Sequence, residues 1–139
     1  MSEIKNGGHI VLTVKDLRKS LAWYKPLMAK LGFAIVPATA NDPEHAYFGA
    51  ADFAMYVALF QGHPEFNDDT FNRYRIGLHH LALSTKNKAV VDDIYTFLQE
   101  RGDSCDEPPR HYPDYDDDLY YALFFHDPDG LRLELFYEE

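Results

Sequence analysis

Three side chains in this chain of 139 residues have the types and the placement for metal chemistry: His9, His80 and Glu134. Two imidazoles and one carboxylate converging on a point bind a divalent ion through neutral ring nitrogen and anionic oxygen. They leave positions open for water or substrate oxygens. The set suits Fe(II), and also Mn, Ni, Co or Zn, so the expected cofactor is a divalent metal ion of that group. Taken singly, none of the three is informative. A histidine in a strand more often sits at the surface, and a glutamate near a chain end is usually solvated. The case rests on the elements that carry them.

Those elements repeat. His9-Ile-Val-Leu-Thr-Val-Lys-Asp16 is similar to His80-Leu-Ala-Leu-Ser-Thr-Lys-Asn87. Each stretch reads as a strand that ends in an N-cap residue. A helical pattern follows each: Leu17, Leu21, Tyr24, Leu27, Met28 and Leu31 in the first copy, Val90, Val91, Ile94, Tyr95 and Leu98 in the second. Both keep the i, i+3, i+4, i+7 spacing of a helix with one buried face. Gly32 and Gly102 stand where each helix should stop. Pro26 falls inside the first helix and is expected to kink or divide it.

Strands are expected next at Phe33–Pro37, Ala46–Phe48 and Phe53–Gln61, and in the second half near Ser104–Glu107, at Leu119–His126 and at Leu131–Tyr137. The last two are joined by Asp127-Pro128-Asp129-Gly130, which suits a type I turn. The fold class is therefore α+β. Two β-α-β-β-β modules, about 7–62 and 76–139, share one domain and form an open, curved mixed sheet with helices on its outer face. Residues 63–75 form a polar linker, with a helical turn expected around Phe66–Tyr74. Asp114–Asp118 reads as a solvated acidic loop rather than a calcium loop, whose oxygen ligands are more regularly spaced.

Alternation along the strands separates two faces. Ile10, Leu12 and Val14, then Leu81 and Leu83, then Leu131, Leu133 and Leu135 give each strand an aliphatic side that a helix can cover. The other sides carry His9, His80 and Glu134, with Arg132 on the face of Glu134. If the helices cover the aliphatic sides, two such half-sheets can curve so that the polar faces line one cavity.

Composition narrows the partners. With 13 Lys+Arg against 23 Asp+Glu the formal net charge is −10, and no basic stripe interrupts it, so nucleic-acid binding is not expected. The apolar runs are strand-sized and far short of the ~20 residues of a membrane helix, so no membrane association is expected. One cysteine, Cys105, cannot form an internal disulfide, and a reducing cytoplasm is the natural compartment. Aromatics make up 15% of the chain and ten are tyrosines, which suits a small-molecule pocket and ordinary sheet faces alike.

Three stretches carry a family resemblance: His9-x-x-Leu12-x-Val14-x-Asp16-Leu17-x-x-Ser20-x-x-Trp23-Tyr24, Gly77-Leu78-His79-His80-Leu81-Ala82-Leu83, and Asp127-Pro128-Asp129-Gly130-x-x-x-Glu134-Leu135. Together they resemble the vicinal oxygen chelate superfamily, which comprises glyoxalases, bleomycin-resistance proteins and extradiol dioxygenases. The resemblance implies an open barrel of paired modules around a divalent metal that binds neighbouring substrate oxygens or an oxyanion formed from them. It places the ligands on His9, His80 and Glu134. His79 competes with His80, but alternation points it toward the helix side. Members that isomerise glutathione hemithioacetals usually carry a fourth ligand on the last strand of the first half. Phe53-Ala54-Met55-Tyr56-Val57-Ala58-Leu59 has no carboxylate, which counts against lactoylglutathione lyase activity. The resemblance also implies a homodimer and a small-molecule substrate.

The expected activity is Lewis-acid stabilisation of an oxyanion, by a dioxygenase or by a lyase or isomerase. No residue is assigned as the general acid or base. Tyr56, His111, Tyr112 and Tyr121 are weak candidates, with Tyr115 and His126 behind them. Arg132 could orient Glu134 or meet an anionic substrate. The competing reading is a metal-free protein that sequesters an antibiotic in an aromatic cleft.

Overall fold

A computed structural model describes residues 1–5, 7–116 and 119–139, without the side chains of Tyr115 and Asp116. Part of the expected acidic loop, Asp117 and Asp118, and the side chain of the candidate Tyr115 therefore lie outside the described residues. The chain divides into two compact units, Met1–Asp69 and Thr70–Glu139. The first runs β1 (His9–Val14), α1 (Leu17–Lys30), β2 (Ala34–Ile35), β3 (His45–Ala50) and β4 (Phe53–Gln61). The second runs β5 (Leu81–Ser84), α2 (Lys88–Arg101), β6 (Arg110–His111), a one-turn helix α3 (Pro113–Asp116), β7 (Tyr121–His126) and β8 (Arg132–Tyr137).

Each unit holds a four-stranded mixed sheet, ordered β1-β4-β3-β2 in one and β5-β8-β7-β6 in the other. In both, the first strand pairs parallel with the last, and the remaining pairs are antiparallel. The repeat seen in the sequence is thus a repeat of topology. The fold is α+β, and no described helix is long and apolar enough to cross a membrane.

The helices begin and end as their terminal residues dictate. Asp16 accepts from the Lys19 backbone N–H and Asn87 from that of Val90, each satisfying a donor that the helix itself leaves unpaired. At the other end Gly32 and Gly102 adopt φ of 84° and 77°. The next residue's N–H then folds back, Phe33 to the Met28 carbonyl and Asp103 to that of Leu98. α1 buries Leu17, Tyr24, Leu27 and Met28, and α2 buries Val91, Ile94 and Leu98. Facing them are the buried Leu12, Val14, Val57 and Leu59 in one unit and Leu123, Leu133 and Leu135 in the other. Each such side chain contributes about 1.5–3 kcal/mol by leaving water.

Four expectations need correction. Pro26 does not divide α1; it lies on the exposed side, where the loss of one N–H leaves the carbonyl of Ala22 to water. The strand expected near Ser104–Glu107 is reduced to a bridge between Cys105 and Phe125, and β6 forms at Arg110–His111 instead. Pro108 and Pro109 have no N–H and end the ladder before it can run on. The turn expected around Phe66–Tyr74 forms earlier, as a 3-10 turn at Pro64–Phe66, where Pro64 presets φ. A second 3-10 turn, Pro37–Thr39, ends β2 at Ile35 rather than Pro37.

Candidate functional site

In the second unit the Asp127–Gly130 turn sets the register of β7 against β8, pairing Phe124 with Glu134, Ala122 with Phe136 and His126 with Arg132. On the other side Glu134 pairs with Ala82 of β5. Glu134 therefore stands mid-sheet on the face away from α2, and it is only 3% exposed. A buried carboxylate costs several kcal/mol unless its oxygens are hydrogen-bonded. Both are. The Tyr120 hydroxyl donates to Oε1, and His80 Nε2 lies 2.9 Å from Oε2. Tyr120 is held by stacking on Phe136, ring centroids 4.8 Å apart.

The His80 ring continues the chain, with its Nδ1 2.7 Å from Nδ1 of His79. One set of tautomers satisfies every contact with neutral rings. His79 Nδ1–H donates to His80 Nδ1, His80 Nε2–H donates to Glu134, and Tyr120 donates to the second carboxylate oxygen. His79 does not turn to the helix side as alternation suggested. β5 begins only at Leu81, so the two histidines precede the strand and its alternation. Partial desolvation, then electrostatic interaction with His80, Arg73 and Arg132, holds the His79 imidazole below the usual histidine range.

Phe124 sits at the centre of this face. The rings of His80 and Tyr112 meet it edge-on at 5.9 and 5.6 Å, and the Arg132 guanidinium lies 4.2 Å from its centroid. Asp106 bridges two bases here, 2.7 Å from His126 Nε2 and 3.6 Å from Arg132 Nη2. Tyr112 donates to Glu107 at 2.8 Å, and burial and that bond push its phenol up to about 12. Tyr121 and His111 stand on the opposite face, against the helix. Tyr121 donates to Asp92 of α2 at 2.5 Å, and the His111 ring packs on it at 5.0 Å.

The first unit places His9 on β1, paired with Tyr56 of β4, so the two share the face away from α1. Tyr47 of β3 lies between them, its ring 5.9 Å from His9 and 6.3 Å from Tyr56. Tyr56 is 48% exposed and covers Gly49, where a Cβ would sit 2.7 Å from its ring. His45 adds a third ring contact to Tyr47 at 5.7 Å.

Of the three expected metal ligands, His80 and Glu134 are brought together within the second unit, and His9 is held in the first. Among the described residues no group of three or more His, Cys, Asp or Glu forms a cluster ready to hold a metal. The chemistry of the pair nevertheless fits an ion. A ring nitrogen and a carboxylate oxygen 2.9 Å apart match neighbouring ligands with bonds of about 2.1 Å. Tyr120 is the residue that sequence reasoning missed. Its signal was available: Tyr120 precedes β7 by one residue, but the Tyr112 N–H donates to its carbonyl, so the pairing extends to it and gives it the parity of Phe124 and the face of Glu134.

The family model of the Glyoxalase/Bleomycin resistance protein/Dioxygenase superfamily matches residues 7–135. The chain is 28% identical over 127 residues to the uncharacterized protein YqjT of Bacillus subtilis, covering 91% of this chain and 94% of that one. It is similar to the crystal structure of a candidate glyoxalase from Bacillus halodurans, with a TM-score of 0.76, 26% identity, and coverage of 93% of this chain and 92% of the other. It also shares the fold of a lactoylglutathione lyase from Agrobacterium tumefaciens, with a TM-score of 0.66, 18% identity, and coverage of 98% and 96%. By its sequence match and its repeated β-α-β-β-β topology, the chain belongs to the Glyoxalase/Bleomycin resistance protein/Dioxygenase superfamily.

Proposed function

We propose that the protein is a metal-dependent enzyme acting on a small molecule that presents neighbouring oxygen atoms to the ion, as a dioxygenase or as a lyase or isomerase. The observation that carries the reading is the buried Glu134 carboxylate with His80 Nε2 at 2.9 Å on one oxygen and the Tyr120 hydroxyl on the other. A carboxylate fixed at both oxygens and paired with an imidazole is preorganised for a cation, and its burial excludes competing water. His80 and Glu134 are the proposed ligands. A divalent ion held there supplies Lewis acidity to an oxyanion on the substrate. Tyr120 fixes the carboxylate, and Phe124 and Tyr112 furnish an apolar wall beside it.

Lactoylglutathione lyase is not the proposed reaction. The open face of β4 presents Tyr56, Ala58 and Phe60, so it offers no carboxylate as a fourth ligand. We also propose a homodimer, for which light scattering at micromolar concentration should return twice the chain mass of 16.1 kDa.

The deciding experiment is metal analysis of protein purified without chelator, with His80→Ala and Glu134→Gln alongside. Stoichiometric metal in the parent that is lost from both variants supports the enzyme. A metal-free parent that binds aromatic ligands as well as the His80→Ala variant does would replace it with the antibiotic-sequestering reading. Iron after anaerobic purification would select oxygenase chemistry, and zinc, nickel or manganese the lyase or isomerase class.

A further inference from the structure

Arg132 is set beside the proposed site and is incompletely paired. It shares the face of Glu134 two residues away on β8, a separation of ~6.8 Å along an antiparallel strand. Its side chain is only 15% exposed, yet its Nε is buried with no hydrogen-bond partner among the described residues. The other nitrogen of that edge, Nη2, reaches Asp106 only at 3.6 Å, well beyond the ~2.7–2.9 Å of a charge-assisted hydrogen bond. The close partner of Asp106 is His126, at 2.7 Å. So the Nε–Nη2 edge, two parallel donors matched to a carboxylate, is only half-paired: Asp106 lies at long range from Nη2, and Nε has no acceptor among the described residues. The guanidinium is meanwhile stacked at 4.2 Å over Phe124, which orients the edge without satisfying it. A buried N–H left without an acceptor is costly, so a native structure that keeps one calls for a functional reason.

We propose that Arg132 is the substrate's anion-recognition residue, and that the substrate carries a carboxylate separate from its metal-binding oxygens. This rests on the metal reading above and adds the substrate class to it. The two residues lie on one face of β8, two positions apart. Asp106 is 42% exposed, on the segment between α2 and β6, and the substrate carboxylate displaces it from the arginine. Asp106 then keeps its contact with His126 at 2.7 Å.

The probes are 3,4-dihydroxybenzoate, its neutral amide 3,4-dihydroxybenzamide, and benzoate, each titrated calorimetrically into metal-loaded protein. In the parent the acid should bind at least tenfold more tightly than the amide. In Arg132→Met that ratio should fall to about one while amide affinity stays within twofold, and Arg132→Lys should restore part of it. Asp106→Ala, which removes the competing carboxylate, should raise the ratio severalfold. A parent ratio near one overturns the proposal with no variant needed, so a poorly folding Arg132→Met cannot shelter it. A ratio unchanged in Arg132→Met overturns it equally. Titrations of His80→Ala separate this proposal from the metal reading. Loss of the advantage of dihydroxybenzoate over benzoate, with the acid-to-amide ratio kept, supports both. An advantage that survives His80→Ala sinks the metal reading, and the ratio alone still decides the role of Arg132.

Discussion

Replacing Tyr120 with phenylalanine isolates the contact that makes a buried Glu134 tolerable. The change removes one oxygen and leaves the ring to stack on Phe136 as before, 4.8 Å between centroids, so almost no apolar area is lost. What disappears is the hydrogen bond to Glu134 Oε1. With Glu134 only 3% exposed, water cannot readily take the hydroxyl's place. A hydrogen bond to a charged group is worth about 1.5–3 kcal/mol, and the abandoned oxygen adds its own desolvation cost. For a chain of this length that corresponds to a fall in Tm of about 5–12 °C. Urea unfolding of Tyr120→Phe, Glu134→Gln and the double variant should yield a coupling energy of about 1–2 kcal/mol. If Glu134 is a metal ligand, Tyr120 is the group that orients it, and loss of such support costs about 10–100-fold in metal affinity. Competition against a chelator measures that independently of folding. A Tyr120→Phe protein within about 0.5 kcal/mol of the parent, with additive double-variant energies and unchanged metal affinity, would refute the view that Glu134 is held by this bond.

Other outcomes follow from the same geometry. Tyr121→Phe removes the bond to Asp92 on the helix side, so it should lower stability by about 1 kcal/mol in urea unfolding and leave metal content unchanged. The phenols of Tyr112 and Tyr121 are each pushed up to about 12, chiefly by burial, so the folded chain holds their protons more tightly than the unfolded one. The stability involved is fully present below the ordinary tyrosine value of about 10 and is lost as pH rises through the folded values. The decline in the urea midpoint above pH 10 should accordingly be shallower in the Tyr112→Phe/Tyr121→Phe double variant than in the parent. Gly102→Ala forces a side chain into φ of 77° and should cost about 1–2 kcal/mol, measured by thermal unfolding.

How much of this was legible in the sequence depends on whether a local rule or a distant partner decided the outcome. The caps at Asp16 and Asn87, the glycine stops and the turn at Asp127–Gly130 are local, and each forms where its residues place it. The pairing of Phe124 with Glu134 follows from that turn, which is why Glu134 lies on the face opposite the leucines of β8. The same register puts Tyr120 on the face of Glu134 and sends Tyr121 to the helix, so parity counted from the turn discriminates between the two tyrosines. Counting from residue type alone does not. His79 fails for the complementary reason. Alternation holds only inside a paired strand, and β5 starts one residue after His80. The burial of Glu134 was not legible at all, since a carboxylate is expected in water until its partners are known. Those partners, Tyr120 and His80, come from separate elements and meet only in the folded unit. The half-paired edge of Arg132 belongs to the same class. A strand position fixes which face the arginine takes, but the 3.6 Å gap to Asp106 depends on the path of the segment after α2. Residue spacing thus locates the face on which chemistry occurs. The state of each group on that face is set by contacts between elements, and the test of Arg132 against a carboxylate probe addresses those contacts directly.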